Sequence, residues 1–189
     1  MSRPAAPRWP KLAAVHTLVF DFDGVFTDNK VYVSGSGEEA VRCDRADGLA
    51  MDFLRRYQAR GRFKARVFIL SKEKNTVVRA RARKIGIECR HGVGDKVEFM
   101  RRYLARHQPG LRDPFAGVVF LGNDLNDLPL MRAVGFSVAP RDAHARVRKV
   151  ASVVLPQKGG DGFVRAFVER FLGIDQLGTG EIDALVSDC

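Results

Sequence analysis

The segment VHTLVF at residues 15–20 is followed directly by DFDGV at residues 21–25 in this 189-residue chain. Six mainly apolar residues predict a short buried strand. Side chains alternate along an extended chain, so Asp21 and Asp23 are expected on one face and Phe22 on the other. The sequence thus predicts a buried strand that ends in two neighbouring carboxylates.

The rest of the chain repeats the pattern of apolar strand and amphipathic helix. RVFIL at 66–70 and GVVFL at 117–121 are further strand candidates, each followed by helical spacing. This alternation predicts an α/β fold, a Rossmann-like parallel sheet between two layers of helices. Two short β-prone runs around SGSG at 34–37 predict a β-hairpin.

The chain is long enough for one domain with short extensions. We expect a flexible N-terminal tail at 1–14, a domain at 15–172 with a hairpin flap at about 29–43, and a mobile C-terminal tail at 173–189. No apolar run approaches the ~20 residues that span a bilayer, and the N-terminus lacks the apolar region of a secretory signal. With three scattered cysteines, the prediction is a cytoplasmic protein with no membrane partner.

Charge gives a second constraint. The 32 Lys and Arg residues against 22 Asp and Glu residues give a formal net charge of +10. A basic protein attracts anions, among them nucleic acids and small phosphorylated molecules. We find no helix-turn-helix, no zinc motif and no interleaving of aromatic and basic residues of the single-strand type. We therefore expect a small anionic substrate and no nucleic acid.

Polar residues also follow the other strands. Ser71 comes directly after RVFIL, Asp124 lies shortly after GVVFL, and Lys96 opens a later helix. The carboxyl ends of parallel strands share one edge of the sheet, and ligands bind there. We expect Asp21, Asp23, Ser71 and Asp124 to converge on one crevice.

Such a cluster suits phosphate chemistry. Several carboxylates repel each other unless a cation joins them, and Mg²⁺ prefers hard oxygen ligands together with substrate phosphate oxygens. Asp21 is ionised at neutral pH and could attack phosphorus, with Mg²⁺ and Lys96 offsetting the repulsion between anions. A second carboxyl two residues on could act as general acid and then as general base. Ser71 offers a hydroxyl and a backbone N–H to the phosphate.

These motifs resemble those of the haloacid dehalogenase superfamily of Mg²⁺-dependent phosphotransferases. DFDGV is similar to its first motif, Ser71 to the residue of its second, Lys96 to the lysine of its third, and GNDLND at 122–127 to its acidic fourth. The order and spacing cover residues 15–170.

The resemblance implies a role for each matching residue. Asp21 would be the nucleophile that becomes an aspartyl-phosphate and also a metal ligand. Asp23 would be the acid/base, with its backbone carbonyl on the metal, and Asp124 would be the further side-chain ligand. Ser71 would bind phosphate and Lys96 would neutralise charge on Asp21 and the transferring group. Asp127 and Asn123 would support this set.

Neither gap between the motifs is long enough for a separate cap domain. The segments FTDN at 26–29, RCDRADGL at 42–49 and KGGDG at 158–162 resemble the sugar-acid phosphatases without a cap. That branch implies a homotetramer, in which the hairpin and the C-terminal tail of one subunit reach toward the site of another.

The second motif bears on the substrate, expected to be a phosphorylated 2-keto-3-deoxy sugar acid. It reads LSKEKN at 70–75, whereas the octulosonate 8-phosphate phosphatases typically carry a Thr-Gly-Arg type. The resemblance therefore favours a nonulosonate 9-phosphate, with 3-deoxy-D-manno-octulosonate 8-phosphate as the alternative. A third possibility is a non-catalytic oligomerisation domain of the kind attached to acylneuraminate cytidylyltransferases. The candidates for gripping phosphate or carboxylate are Arg45, Asp47, Lys72, Lys74 and Asn75.

Overall fold

The protein is described by a computed structural model, which covers residues 8–187. The strands are β1 Thr17–Phe20, β2 Thr27–Val33, β3 Glu39–Cys43, β4 Arg66–Leu70, β5 Glu88–Arg90, β6 Val118–Leu121, β7 Phe136–Pro140 and β8 Val153–Leu155. The helices are α1 Ala46–Ala59, α2 Thr76–Lys84, α3 Lys96–His107, α4 Leu128–Ala133, α5 Ala145–Val150, α6 Phe163–Leu172 and α7 Thr179–Val186. Short 3₁₀ turns lie at Leu12–Ala14, Leu125–Asp127 and Ile174–Gln176.

Six strands form one parallel sheet in the order β5-β4-β1-β6-β7-β8. β1 lies near the middle, paired with β4 on one side and β6 on the other. All four of its residues are buried. This confirms the predicted α/β fold and places the end of β1 between two neighbouring strand ends.

Two hydrophobic layers cover the sheet. Leu18 and Phe20 of β1 pack with the buried faces of α1, α2 and α6. Val19, which points the other way, packs with those of α3 and α4 and with Val147 of α5. The alternation along one strand thus separates the two layers, as the pleat requires.

The predicted hairpin is present as the antiparallel pair β2 and β3. It begins two residues before the expected boundary, at Thr27. Its outer part is open to solvent, with Val31, Tyr32 and Val33 between 53% and 64% exposed. No further domain is inserted between the strands of residues 8–187.

The two chain ends contain more regular structure than the expected tails. Residues 1–7 and 188–189 lie outside the described residues, so the N-terminal prediction is only partly addressed. Trp9 packs against Phe136 and Phe167, with ring centroids 5.3 and 5.9 Å apart. Near the C-terminus, α7 buries Leu185, whose carbonyl accepts a hydrogen bond from Arg56 at 2.7 Å. No helix in residues 8–187 has both the length and the apolar character needed to cross a membrane.

Candidate active site

The loop after β1 holds Asp21 in a fixed position. Its backbone N–H donates to the carbonyl of Leu121 at 2.8 Å, and its Oδ1 accepts from the N–H of Phe22 at 2.8 Å. The chain then turns sharply, and the N–H of Phe26 donates to the carbonyl of Phe22 across this turn. Asp21 is buried, with 4% of its surface exposed.

Gly24 allows this loop to touch two others. Its φ of +73° favours glycine, and a Cβ there would lie 1.9 Å from Nδ2 of Asn123. A Cβ on Gly159 would in turn lie 2.0 Å from the carbonyl oxygen of Gly24. Three loops therefore meet here, with no room for a side chain at Gly24 or Gly159.

Lys96 lies between two buried carboxylates. Its Nζ is 2.7 Å from Oδ1 of Asp21 and 2.7 Å from Oδ1 of Asp127. Asp127 also accepts through Oδ2 from the N–H groups of Asn123 and Asp124, at 2.8 and 3.2 Å. Asp127 thus supports both the lysine and the loop after β6.

Burial and charge act in opposite directions on this cluster. Burial raises the pKa of Asp21 and the adjacent Lys96 opposes that rise, while Asp127 adds to it. Burial alone would lower the pKa of Lys96, but the two carboxylates outweigh it and raise that pKa. The pKa of Asp23 is raised by burial and then by the carboxylate of Glu73. One lysine is thus surrounded by more negative charge than it balances.

Ser71 follows β4 and is 1% exposed. Its Oγ accepts from the N–H of Glu73 at 3.0 Å. Its own backbone N–H donates to the carbonyl of Arg90 at 2.8 Å, so the expectation that this N–H holds phosphate is not met and the hydroxyl remains. Ser71 does not cap a helix, since α2 begins at Thr76 and Asn75 accepts from the N–H of Val77.

The loop after β6 supplies a further acidic residue to the site, Asp124. Asp124 is exposed, and its Oδ1 accepts from the N–H of Leu125 at 2.7 Å. The neighbouring Asn123 is buried, and its Oδ1 has no hydrogen-bond partner within residues 8–187. An unpaired amide oxygen beside an exposed carboxylate leaves oxygen donors available to a cation.

These residues surround one cavity of about 380 Å³. It lies at the carboxyl ends of the central strands, as the sequence predicts. Its lining residues are Asp21, Asp23, Asn29, Ser71, Lys72, Glu73, Lys74, Asn123, Asp124 and Asn126. A second cavity of about 270 Å³ shares Asp23, Asn29 and Glu73 and extends under the hairpin to Glu39 and Asn75.

Two of the residues expected to grip the substrate lie elsewhere. Arg45 lines a separate cavity between α1 and α2. Asp47 is fully buried, and its Oδ1 accepts from the N–H of Arg165 at 3.1 Å, which joins α1 to α6. Burial raises the pKa of Asp47 to about 7. Within one chain, neither residue reaches the cavity around Asp21.

Sequence reasoning missed several residues that line the two cavities, among them Asn29, Glu39, Glu73 and Asn126. Asn29 adopts a φ of +60°, which is uncommon for a residue other than glycine. Glu73 and Asn126 lay inside quoted motifs, so their position next to Ser71 and Asp124 was the available signal. Glu39 is brought in by the hairpin, and the Asn75 side chain donates to its carboxylate.

The donor set fits a hard divalent cation. Residues 8–187 contain no group of three His, Cys, Asp or Glu side chains arranged to hold a metal. Mg²⁺ does not need such a group, since it binds through one or two carboxylates together with waters and substrate oxygens. The side chains of Asp21 and Asp124 and the backbone carbonyl of Asp23 could hold it.

Comparison with known proteins identifies relatives along most of the chain. The sequence pattern of the family described as haloacid dehalogenase-like hydrolase matches residues 95–167. The 3-deoxy-D-manno-octulosonate 8-phosphate phosphatase of Yersinia pestis is 31% identical over 163 residues, which are 86% of this chain and 82% of that protein.

Solved structures agree with this. A haloacid dehalogenase family hydrolase from Streptomyces avermitilis matches with a TM-score of 0.79 and 36% identity, over 89% of this chain and 98% of that one. The cobalt-bound form of the deoxy-D-mannose-octulosonate 8-phosphate phosphatase from Haemophilus influenzae matches with a TM-score of 0.73 and 25% identity. That match covers 88% of this chain and 92% of the other.

Proposed function

The chain belongs to the haloacid dehalogenase-like hydrolases, in the branch without a cap domain, and we propose that it is a Mg²⁺-dependent phosphatase of 2-keto-3-deoxy sugar acid phosphates. The observation that carries this proposal is the arrangement of Asp21, Lys96 and Asp127 at the end of the central strand, with Asp23 and Asp124 on the same cavity. The first candidate substrate is 3-deoxy-D-manno-octulosonate 8-phosphate, because the relative from Yersinia pestis is named as a phosphatase of this compound.

The hydrogen bonds of Asp21 indicate which of its oxygens attacks. Oδ1 accepts from Phe22 and from Lys96, so it is already held from two sides. Oδ2 is therefore the oxygen that forms the bond to phosphorus while the bond from phosphorus to the sugar oxygen breaks. Lys96 keeps the carboxylate in place and offsets the charge of the incoming phosphate.

Asp23 carries the proton. In its neutral form it donates a proton to the leaving sugar oxygen, and its raised pKa favours that form. As a carboxylate it then accepts a proton from water, which attacks the phosphorus of the aspartyl-phosphate and releases inorganic phosphate and free Asp21. The Ser71 hydroxyl would bind a phosphate oxygen.

Mg²⁺, held by Asp21, Asp124 and the carbonyl of Asp23, would supply the positive charge that a single lysine does not provide. The structure supports this fit through the exposed carboxylate of Asp124 and the unpaired Oδ1 of Asn123. The relative from Haemophilus influenzae has a cobalt-bound form, which is consistent with a divalent metal here.

A nonulosonate 9-phosphate is the second candidate substrate. Its support is the second motif, in which Lys72, Glu73 and Lys74 line the cavity in place of a Thr-Gly-Arg type. These side chains would contact the sugar next to the phosphate. The comparisons favour the eight-carbon substrate, and the motif favours the nine-carbon one.

The predictions of a homotetramer and of a cytoplasmic location stay open. The exposed Val31, Tyr32 and Val33 at the outer part of the hairpin are suited to contact another subunit. The complete set of reactive residues argues against a purely structural domain. Light scattering at several protein concentrations would measure the assembly state.

Phosphate release measured with Mg²⁺ on both sugar acid phosphates tests the proposal. We expect activity that is abolished by EDTA, restored by Mg²⁺ and absent in Asp21→Asn. Asp52→Asn is the matched control, because Asp52 is a half-buried carboxylate that pairs with Arg55 on α1 and lies outside the cavity around Asp21. Activity that survives in Asp21→Asn, or no activity on any sugar acid phosphate, would refute it.

A further inference from the structure

A row of three aromatic rings lies along α3, from its first turn to its C-terminal end. Phe99, Tyr103 and His107 are spaced four residues apart, so they share one face of the helix. The centroids of Phe99 and Tyr103 are 6.1 Å apart with 18° between their planes. Those of Tyr103 and His107 are 4.2 Å apart with 26° between their planes. Neighbouring rings in this row are therefore close to parallel.

The row is held firmly from below. Tyr103 is buried, and its ring packs against Phe68 of β4 at 4.9 Å. Nδ1 of His107 donates to the carbonyl of Tyr103 at 2.8 Å, which fixes the orientation of the imidazole. The imidazole of His107 therefore has a fixed orientation and does not rotate freely in solvent.

Three arginines surround these rings and form a cavity of about 390 Å³ with them. Arg90 comes from the edge strand β5, and Arg102 and Arg106 come from α3. Arg90 pairs with Glu88, and Arg102 lies 3.4 Å from Glu98, a carboxylate that Arg101 also contacts. Arg106 has no ion-pair partner within residues 8–187, so the cavity carries excess positive charge.

This cavity is separate from the active site. None of the residues that line it also lines the cavity around Asp21. Lys96 opens α3 at the active site and Arg106 lies near the other end, about 15 Å further along the helix axis. Phosphate chemistry at Asp21 therefore gives no reason for rings and arginines at this position.

We propose that this cavity, formed by α3 and β5, binds a nucleoside monophosphate. A planar base packs against the row of rings, and the phosphate pairs with Arg106 and its neighbours. A volume of about 390 Å³ lies at the small end of ligand pockets, which favours one nucleotide over a continuous strand. A nucleotide would contact both the arginines and the rings, whereas inorganic phosphate would contact only the arginines.

The sequence contains this pattern as FMRRYLARH at 99–107. Along the chain the rings are four residues apart and look scattered. Only the helix brings them onto one face, beside an arginine from a different strand.

Isothermal titration with adenosine 5′-monophosphate, cytidine 5′-monophosphate and inorganic phosphate, in Mg²⁺-free buffer, tests the proposal. We expect a nucleotide to bind more tightly than inorganic phosphate. Arg106→Ala should weaken nucleotide binding at least about tenfold, because it removes a charge-assisted contact. Arg112→Ala removes an equal charge from an exposed position outside the cavity and should change the affinity less than about twofold.

A second variant separates stacking from charge. Phe99→Leu keeps the arginines and should weaken nucleotide binding while leaving the binding of inorganic phosphate unchanged. Phosphatase activity should stay within about twofold of the wild type in Arg106→Ala, which keeps this test independent of the proposed function.

Several results would overturn the proposal. One is no heat from any nucleotide at millimolar concentration. Another is nucleotide binding that is lost in Ser71→Ala and kept in Arg106→Ala, which would place it in the active site. A third is a single-stranded oligonucleotide whose affinity rises steadily with length, which would mean that the surface binds a strand.

Discussion

Asp21 and Asp47 are both buried aspartates with a raised pKa, and burial is the largest cause in both. Their surroundings differ. Asp21 lies 2.7 Å from Lys96 and lines an open cavity, whereas Asp47 accepts a backbone N–H from Arg165 and its Oδ2 has no partner within the described chain. The comparison teaches that a raised pKa alone does not identify a reactive carboxylate. A reactive carboxylate is identified by a buried cation beside it and by access to the substrate.

The largest expected effect is on catalysis. Asp21→Asn should lower kcat by at least about 10³-fold, because the amide is a poor nucleophile for phosphorus. Asp47→Asn should leave kcat within about threefold, since Asp47 lies outside the cavity. Steady-state phosphate release on the same substrate measures both. Equal losses of kcat in the two variants would contradict the distinction between a reactive Asp21 and an unreactive Asp47.

Removing the cation at Asp21 should make that site resemble the one at Asp47. Lys96→Met leaves Asp21 and Asp127 buried without a counterion, which should cost about 3–5 kcal/mol of unfolding free energy at neutral pH. Activity should also fall sharply. Lys149→Met, on the exposed side of α5, is the matched control and should change stability by less than about 0.5 kcal/mol. Urea denaturation measures both.

The pH dependence of stability should reveal Asp47. Its pKa is about 7 in the folded protein, against about 3.9 for an aspartate in an unfolded chain, so the folded state holds the proton more tightly. The stabilisation is fully present below about pH 4 and is lost as the pH rises toward 7. Relative to Asp47→Asn, the wild type should lose at most about 4 kcal/mol over that window and nothing further above it. A constant difference in denaturant midpoint from pH 4 to 7 would contradict this.

The smallest effect is expected for Arg81, one of two arginines that lower the pKa of Asp47. Arg81 donates to the carbonyl of Asp44 at 2.6 Å and lowers the pKa of Asp47 only in part. Arg81→Met should cost about 1 kcal/mol, the typical value of one hydrogen bond, and leave activity within about threefold. A loss as large as that of Lys96→Met would mean that Asp47 also depends on an ion pair. Thermal unfolding of the two methionine variants side by side decides it.

The sequence predicted the strand ends well, because a parallel sheet fixes where they meet. Asp21, Asp23, Ser71 and Asp124 line one cavity for that reason. Arg45 and Asp47 were chosen from a motif on a helix, and neither local spacing nor charge showed that α6 would cover Asp47. Glu39 could not be placed either, because its position depends on how the hairpin folds back over Asn75.

The contact between Gly24, Asn123 and Gly159 has a consequence for laboratory evolution of this enzyme. Glycines packed this closely against a side chain and a backbone carbonyl tolerate almost no substitution, so random libraries spread over these loops would yield mostly inactive clones. The flap formed by β2 and β3 has open space around Gly35 and can accept diversity there. New substrate preferences are best sought there, while the reactive centre is left untouched.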